Sequence, residues 1–255
     1  MPPNFIIMRY NLYSVKNKNI VISGASSIIA LKTIEKFLED DAVIYTIVSS
    51  EKSVKILKEK FKDRIHIYVC DLCEDKNVRE LSEKFQLVSK VDILINFIGI
   101  AGDENKDKLN EELFMKIFNT NFFSIVRFIK YFSKYMDAGS SILNIASTLG
   151  IRAIPNSIAY STSKAALIHF SKCLSLEYAP RGIRVNCISP GYFYSDMTKS
   201  IVDNQNSYKN LLQKIPMARL LESDEIVPFI RLIVSEAGAY ITGANIVMDG
   251  GTSCW

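Results

Sequence analysis

The chain has 255 residues, of which 48% are hydrophobic and 23% are charged, so it is long enough for one large α/β domain with a substantial core. Its formal net charge of +4 comes from interspersed acidic and basic residues, which argues against a nucleic-acid partner. No apolar run reaches the roughly 18 residues of a membrane span. The N-terminus lacks the basic-then-apolar order of a signal peptide, so we expect a cytoplasmic protein with no membrane partner.

Short β-branched runs alternate with longer helical segments along the chain. This alternation predicts an α/β fold: a single Rossmann-type, doubly wound domain with a seven-stranded parallel sheet flanked by helices. Strands are predicted at residues 19–23, 42–49, 65–70, 93–97, 141–146, 184–189 and 245–248. Helices are predicted at residues 28–39, 53–61, 76–85, 111–136, 158–178 and 223–234.

Two segments lie outside this regular alternation. Residues 1–17 are predicted to be an N-terminal arm, which leaves residues 18–255 as the single domain. Residues 191–220 are polar and interrupted, with little strand character, and we expect them to form a mobile flap.

Ligands bind doubly wound sheets at the carboxyl ends of the strands, near the switch in strand order. Polar residues or glycines stand at the ends of five of the predicted strands: Gly24, Asp71, Asn96 with Gly99, Ser147, and Pro190 with Gly191. The sequence therefore predicts that these residues meet at one edge of the sheet and form a ligand site.

Tyr160 and Lys164 are four positions apart on a predicted helix and therefore share one face. A nearby ammonium stabilises phenolate and lowers a tyrosine pKa that is otherwise about 10, so the pair suits proton transfer at a carbonyl or alcohol oxygen. Ser147, at a strand end, would hold that oxygen. The spacing by itself is equally compatible with a half-buried tyrosine beside a solvated lysine.

The order of these residues resembles that of the short-chain dehydrogenase/reductase family from Lys18 onward, and bacterial 3-oxoacyl-carrier-protein reductases resemble it most. The resemblance is carried by Tyr160-Ser-Thr-Ser-Lys164, Arg181-Gly-Ile-Arg-Val-Asn-Cys-Ile-Ser-Pro-Gly191, Asn119-Thr-Asn-Phe-Phe-Ser124, Ser195-Asp-Met197, Tyr240-Ile-Thr-Gly243 and Asp249-Gly-Gly251. Such a protein is an NAD(P)-dependent oxidoreductase with a ketone or secondary alcohol as substrate, and is usually a homo-oligomer, a dimer or a tetramer.

The resemblance implies a role for each matching residue. Tyr160 would donate the proton, Ser147 would bind the substrate oxygen, Lys164 would lower the Tyr160 pKa and bind the nicotinamide ribose, and Asn121 would hold a water. The cofactor would be bound by Gly24, Ser26, Ser27, Ile29, Ser49, Ser50, Asp71, Leu72, Asn96, Gly99, Tyr160, Lys164, Pro190, Gly191, Phe193 and Ser195. Taken singly, Ser147 could instead be a strand-end cap, Asn121 a buried polar group and Pro190-Gly191 a turn.

The first glycine turn departs from the family pattern. Ile28 and Ala30 stand where glycines are expected, and Phe97-Ile98 stands where Asn-Ala is usual. Ile28 would be strained if the position needs a positive φ, and it would crowd the cofactor phosphates. The alternative hypothesis is therefore a binding or assembly protein that keeps the fold but binds cofactor weakly and has little turnover.

The choice of cofactor and substrate is less directly encoded. No acidic residue ends the second strand, where Ser49, Ser50 and Lys52 could instead receive a 2′-phosphate, so NADP is favoured over NAD. The substrate could be an acyl thioester, a sugar derivative or a small metabolite; Asp137 and Ala138 stand where carrier-protein reductases often have basic residues. Cys70 and Cys73 could form a redox pair or half a zinc site, although we predict no metal.

Overall fold

The computed structural model describes residues 12–85, 90–102, 109–195 and 197–254. Its strands are β1 (Asn19–Ser23), β2 (Val43–Val48), β3 (His66–Val69), β4 (Ile93–Asn96), β5 (Ser141–Ile145), β6 (Arg184–Pro190) and β7 (Asn245–Met248). Its α-helices are α1 (Ile28–Leu38), α2 (Glu51–Phe61), α3 (Asp75–Phe85), α4 (Glu111–Phe118), α5 (Ser124–Phe132), α6 (Ile158–Tyr178), α7 (Lys199–Val202), α8 (Gln205–Leu212) and α9 (Ser223–Val234).

The strands form one parallel sheet in the order β3-β2-β1-β4-β5-β6-β7, which confirms the predicted seven-stranded, doubly wound architecture. The chain reverses its direction of strand addition at β1 and β4, where Ser23 is paired with Asn96. The crevice at the carboxyl ends of these two strands is where the fold places ligands.

Each face of the sheet is covered by helices, because the strands are apolar on both faces. Along β1, Ile20 and Ile22 face a core made with α1, α2 and α9, whereas Val21 faces the core made with α3, α5 and α6. Four phenylalanines, namely Phe37, Phe85, Phe128 and Phe132, are among the largest fully buried side chains. The two cores fix the helices that carry the polar residues of the site.

The structure differs from the predicted elements in two places. The helix predicted at residues 111–136 is interrupted by a π-helical turn at Asn119–Phe123, and the last turn, Ser133–Tyr135, is 3-10. The flap contains two short helices, α7 and α8, that were not predicted. Periodicity could not locate the π turn because the segments on both sides of it have an ordinary amphipathic helical pattern.

Part of the predicted N-terminal arm, residues 1–11, lies outside the described residues. Residues after it contact the domain: Val15 is fully buried in the core, and its backbone N–H donates to the Asp40 carboxylate at 2.7 Å. The division into an arm and a single domain stays a prediction. No helix among the described residues is long and apolar enough to cross a membrane.

Candidate active site

Ser147 lies two residues beyond β5 and caps the 3-10 turn Thr148–Gly150, whose Leu149 N–H donates to the Ser147 hydroxyl at 3.1 Å. The same hydroxyl forms a hydrogen bond with the phenol of Tyr160, which lies in the first turn of α6. Ser147 therefore acts as a strand-end cap and also contacts the predicted proton donor.

Lys164 lies one turn after Tyr160 on the same face of α6, with its Nζ 5.9 Å from the centre of the Tyr160 ring. Its side chain is buried, and Nζ donates to the carbonyl oxygen of Ile145 at 3.0 Å. The alternative of a solvated lysine is therefore wrong. The ammonium is held between the end of β5 and the catalytic helix.

The environment shifts both pKa values. Burial raises the pKa of Tyr160, and the hydrogen bond from Ser147 partly opposes this rise. Burial lowers the pKa of Lys164 to about 8, so the lysine is still a cation at neutral pH. The lowering of the Tyr160 pKa that we expected from Lys164 is not found: burial outweighs the hydrogen bond with Ser147, and the net effect is a raised pKa.

Asn121 lies in the π-helical turn and is fully buried. Its carboxamide oxygen accepts from Ile100 N–H at 2.8 Å, while its Nδ2 donates to the Ile100 carbonyl at 2.9 Å and to the Ser163 hydroxyl at 3.0 Å. These bonds join the loop after β4 to α6 next to Lys164. Because the side-chain amide of Asn121 already makes these hydrogen bonds, the water expected at Asn121 would have to bind a different polar atom of that residue.

The loop after β4 comes very close to Lys164. A Cβ atom at Gly99 would lie 3.1 Å from Lys164 Nζ and 3.7 Å from Asn121 Oδ1. Glycine at this position therefore keeps open the space beside the ammonium, on the side of the β1–β4 crevice. This space is where a ribose must lie if Lys164 is to bind its hydroxyls.

The first glycine turn keeps its essential geometry despite its unusual sequence. Gly24 has a φ of +66°, and a Cβ there would approach Ile98 N to 2.7 Å. Ser27 caps α1, accepting from Ala30 N–H at 3.4 Å, and Ile28 is the first helical residue, partly buried against the core. The strain predicted for Ile28 is therefore not found, since a helical residue has a negative φ.

The other bulky substitutions also pack into the protein. Ala30 is fully buried, Phe97 packs against one core and Ile98 against the other. Ile29 is likewise buried, so its side chain belongs to the core. The strain argument for a cofactor-poor alternative is thereby removed.

Asn96 does not face the crevice with its side chain. It accepts from the Ser23 hydroxyl at 2.8 Å and donates to Asn144 Oδ1 at 2.7 Å, and Asn144 in turn donates to Ser171 on α6 at 2.8 Å. This fully buried chain of polar groups links β1, β4, β5 and α6 beneath the site. The side chain of Asn96 thus positions these elements, and the contact of Asn96 with the cofactor stays a prediction.

Hydroxyl groups gather where the ends of β1 and β2 adjoin. The Ser26 hydroxyl lies 3.0 Å from that of Ser53, and Ser50, the cap of α2, donates to Ser53 at 3.1 Å. Ser49 is exposed beside them. Ser53 was missed at the sequence level, although its position three residues after an N-cap serine could have indicated it.

The remaining predicted residues occupy the two flanks of the crevice. After β3, Asp71 is exposed and accepts from Cys73 N–H at 2.9 Å, while the Leu72 side chain is buried. After β6, Gly191 packs so tightly on Asp249 that a Cβ would lie 2.7 Å from its Cα. Beyond Gly191, Phe193 forms a bridge with Leu221, and Ser195 pairs with Thr198 at 3.2 Å.

The described residues fit a dinucleotide. The space beside Gly99 and Lys164 matches the ribose of such a molecule. The turn at Gly24 and the hydroxyls at the start of α1 match its phosphates, and the first turn of α1 has no acidic residue that would repel them. Cys70 and Cys73 are free thiols, and no cluster of three potential metal ligands occurs in the part of the chain that the structure describes.

Two residues essential to this geometry were missed at the sequence level: Ile145, whose carbonyl accepts from Lys164, and Ser163, which binds Asn121. The first acts through its backbone and leaves no signal in the sequence. Ser163 lies inside the segment from Tyr160 to Lys164 and could have been found there.

Comparisons with known proteins agree with this geometry. Residues 24–253 match the family model described as Enoyl-(Acyl carrier protein) reductase. The chain is 31% identical over 242 residues to the 3-oxoacyl-[acyl-carrier-protein] reductase FabG of Chlamydia trachomatis, covering 92% of this chain and 97% of that protein.

Solved structures give the same result. The Pseudomonas aeruginosa RhlG/NADP active-site complex superposes with a TM-score of 0.88 at 25% identity, covering 95% of this chain and 98% of that one. A gluconate 5-dehydrogenase from Burkholderia cenocepacia, in complex with NADP and tartrate, shares the fold with a TM-score of 0.89 at 23% identity, covering 97% and 99%. The chain belongs to the short-chain dehydrogenase/reductase family and is an NAD(P)-dependent oxidoreductase that acts on a carbonyl or alcohol group.

Proposed function

We propose that this protein uses NADPH to reduce the ketone of a 3-oxoacyl thioester, with Tyr160 as the proton donor. The observation that carries the chemistry is the contact of Ser147 with Tyr160 beside a buried Lys164 whose Nζ is bound to Ile145. The substrate class is supported by the similarity to 3-oxoacyl-[acyl-carrier-protein] reductases over most of the chain.

The chemistry that the nicotinamide supplies when bound is hydride transfer to the carbonyl carbon. Tyr160 donates its proton to the carbonyl oxygen as negative charge develops there, and Ser147 stabilises that charge by hydrogen bonding. The Lys164 cation then stabilises the phenolate that Tyr160 becomes. Asn121 keeps the loop after β4 in contact with α6, and this maintains the position of Lys164.

Recovery of the proton on Tyr160 needs a route to solvent through Lys164. The water that the resemblance assigns to Asn121 would bind its backbone carbonyl, because a π-helical turn interrupts the regular series of backbone hydrogen bonds. We keep this water, like the cytoplasmic location, as a prediction.

The preference for NADPH is proposed to come from hydroxyl groups. Ser26, Ser50 and Ser53 form a continuous hydroxyl cluster at the N-termini of α1 and α2, which favour anions. An NAD-specific site would instead present a carboxylate to the ribose diol at this place. The neighbouring Ser49 completes the proposed 2′-phosphate site.

Substitution of Ser50 tests this preference with the helix cap preserved. Aspartate and asparagine both cap helices well, but only aspartate repels a 2′-phosphate. We expect Ser50→Asp to lower the ratio of kcat/KM with NADPH to that with NADH by about 10-fold or more, the equivalent of one good charge interaction. Ser50→Asn is the matched control, and an equal effect of both variants would contradict the proposal.

The apolar side chains of the flap support a substrate with an apolar chain. Tyr194, Met197 and Ile201 are each at least 36% exposed, as is Ile151 in the loop after Ser147. A substrate panel tests the class: acetoacetyl and longer 3-oxoacyl thioesters of N-acetylcysteamine, together with sugars and simple ketones, monitored by NADPH oxidation. Turnover of the sugars alone would overturn the thioester proposal but leave the reductase chemistry intact.

A homo-oligomer is proposed from the outer face of α6. Six of its exposed residues recur every three or four positions and are uncharged, with Lys172 and Glu177 exposed beside the last two of them: Ile158, Thr162, Ala165, His169, Cys173 and Leu176. An uncharged stripe of this spacing is typical of a helix that packs on another helix. We expect light scattering to give at least a dimer for the wild type and a monomer for Ala165→Glu.

A further inference from the structure

Residues 249–254 form a turn at the same edge of the sheet as the candidate active site. It follows β7 at the carboxyl edge of the sheet, and Asp249 holds it together by accepting from Gly251 N–H at 3.0 Å and from Ser253 N–H at 2.7 Å. Thr252 within it is 2% exposed. The turn is therefore a built part of the protein and not a loose end.

The turn contacts both ends of the flap. At the start of the flap, Gly191 is packed on Asp249. At its end, a Cβ at Gly250 would lie 2.9 Å from Ile215, a Cβ at Gly251 would lie 3.0 Å from Pro216, and the Gly250 carbonyl accepts from Met217 N–H at 3.1 Å. A displacement of the turn would therefore move both flap segments that it contacts, at Gly191 and at residues 215–217.

Arg152 joins this turn to the catalytic loop, residues 147–152. Its backbone N–H donates to Thr148 at 3.0 Å, and its guanidinium Nη1 donates to the Thr252 carbonyl at 2.5 Å. Gly150, between Thr148 and Arg152, packs on α6, and a Cβ at Gly150 would lie 2.8 Å from the Lys164 carbonyl carbon. Arg152 thus provides a side-chain link from the loop that begins with Ser147 to the turn that holds the flap.

We propose that Arg152 is a positioning residue: by binding the Thr252 carbonyl it sets the distance between Ser147 and the flap, and so governs productive binding of the substrate but not of the cofactor. A charged donor is suited to this role because its hydrogen bond to a carbonyl is stronger than that of a neutral donor. The guanidinium of arginine is also rigid and planar, so the side chain loses little conformational entropy when it forms this bond. The kinetic part of the proposal rests on the proposed reductase function.

The main test is Arg152→Gln, with Arg152→Lys as the conservative rescue. We expect kcat/KM for the ketone to fall about 10-fold or more in the glutamine variant, the loss of one charged hydrogen bond. The Kd for NADPH should stay within twofold of wild type, and lysine should restore most of the activity. Arg231→Gln is a matched control, because Arg231 also donates to a backbone carbonyl, that of Lys36, but on the far side of the domain.

A chain ending at Gly251 removes the acceptor carbonyl and completes a double-mutant cycle. The truncation should lower kcat/KM at least as much as Arg152→Gln does, and the combined variant should be no worse than the truncation alone, because the contact that Arg152→Gln removes is already absent there. Additive losses would overturn the proposal, as would an Arg152→Gln enzyme with wild-type kcat/KM, or one whose NADPH affinity falls in parallel with kcat/KM.

Amide hydrogen exchange gives a readout that does not depend on turnover. In Arg152→Gln, the amides of Ile215, Met217 and residues 249–254 should exchange faster than in wild type, while those of β1 and β4 stay unchanged. If the wild type proves inactive on every ketone, the reductase proposal fails, yet this exchange pattern would still support the link. Unchanged exchange in the flap would overturn the positioning role itself.

Discussion

The two ends of the site are built on different principles. At the catalytic end, Ser147, Tyr160 and Lys164 are held by side-chain contacts, and the buried ammonium is bound to a backbone carbonyl. At the phosphate end, the geometry depends on the backbone, namely the positive φ of Gly24 and the capped start of α1. We therefore expect any substitution of these three side chains to impair the enzyme strongly. At the phosphate end, we expect a strong effect only from a substitution that the backbone conformation cannot accommodate.

This difference explains how the chain keeps the family's catalytic residues while its glycine turn departs from the pattern. Ile28 occupies an ordinary helical position and its side chain turns to the core. Gly24 has no such freedom, because the backbone of the loop after β4 lies 2.7 Å from where its Cβ would be.

The largest effect is expected for Tyr160→Phe. Loss of the proton donor should lower kcat by about 100- to 10,000-fold, while the Kd for NADPH, measured by fluorescence titration, stays nearly unchanged. Ser147→Ala should produce a similar split between kcat and cofactor affinity. Retained turnover in Tyr160→Phe would remove it from the role of proton donor.

At the phosphate end, Gly24→Ala should weaken NADPH binding by about 10-fold or more. A residue with a side chain is strained at this φ, and the methyl would displace the loop that ends at Gly99. Calorimetric titration measures the affinity, and a thermal melt of the same sample separates a local defect from unfolding. Wild-type affinity in a folded variant would contradict the backbone argument.

The pH dependence probes Lys164. Because burial lowers its pKa to about 8, the ammonium should be present below that pH and lost above it, so kcat for ketone reduction should fall as the pH rises through about 8. In the unfolded chain the pKa is near 10.5, and the folded state binds fewer protons between these values.

The burial of the Lys164 cation therefore costs stability below pH 8, and stability should rise with pH from about 8 to 10.5. Lys164→Met should lose activity but unfold at a temperature no lower than wild type at pH 7, since a buried charge is replaced by an apolar chain. A strong loss of stability in this variant would show that the bond to Ile145 outweighs the burial of the charge.

The smallest effect is expected for Ile28→Gly, which restores the family's usual residue. NADPH affinity should change by no more than about threefold, and the melting temperature should fall slightly because glycine costs about 0.5–1 kcal/mol in a helix. Ile28→Ala is the control that shortens the side chain without adding backbone freedom. A gain of 10-fold or more in affinity for glycine alone would mean that Ile28 does crowd the phosphates.

The alternation of β-branched runs and helical segments was sufficient to predict all seven strands and the helices that flank the sheet. A parallel sheet is buried on both faces, so its strands are continuous apolar runs and helices lie between them in the chain. The sequence also predicted that Tyr160 and Lys164 share one face of a helix, which follows from their spacing. Motif order placed Ser147 beside them.

The tertiary structure decided what spacing does not encode. The π turn at Asn121, the Ile145 carbonyl that fixes Lys164, the burial that raises the Tyr160 pKa and the harmless orientation of Ile28 all depend on contacts between distant segments. Local sequence determines which face a side chain shares with its neighbours, whereas its hydrogen-bond partner and its solvation depend on which other element packs against that face.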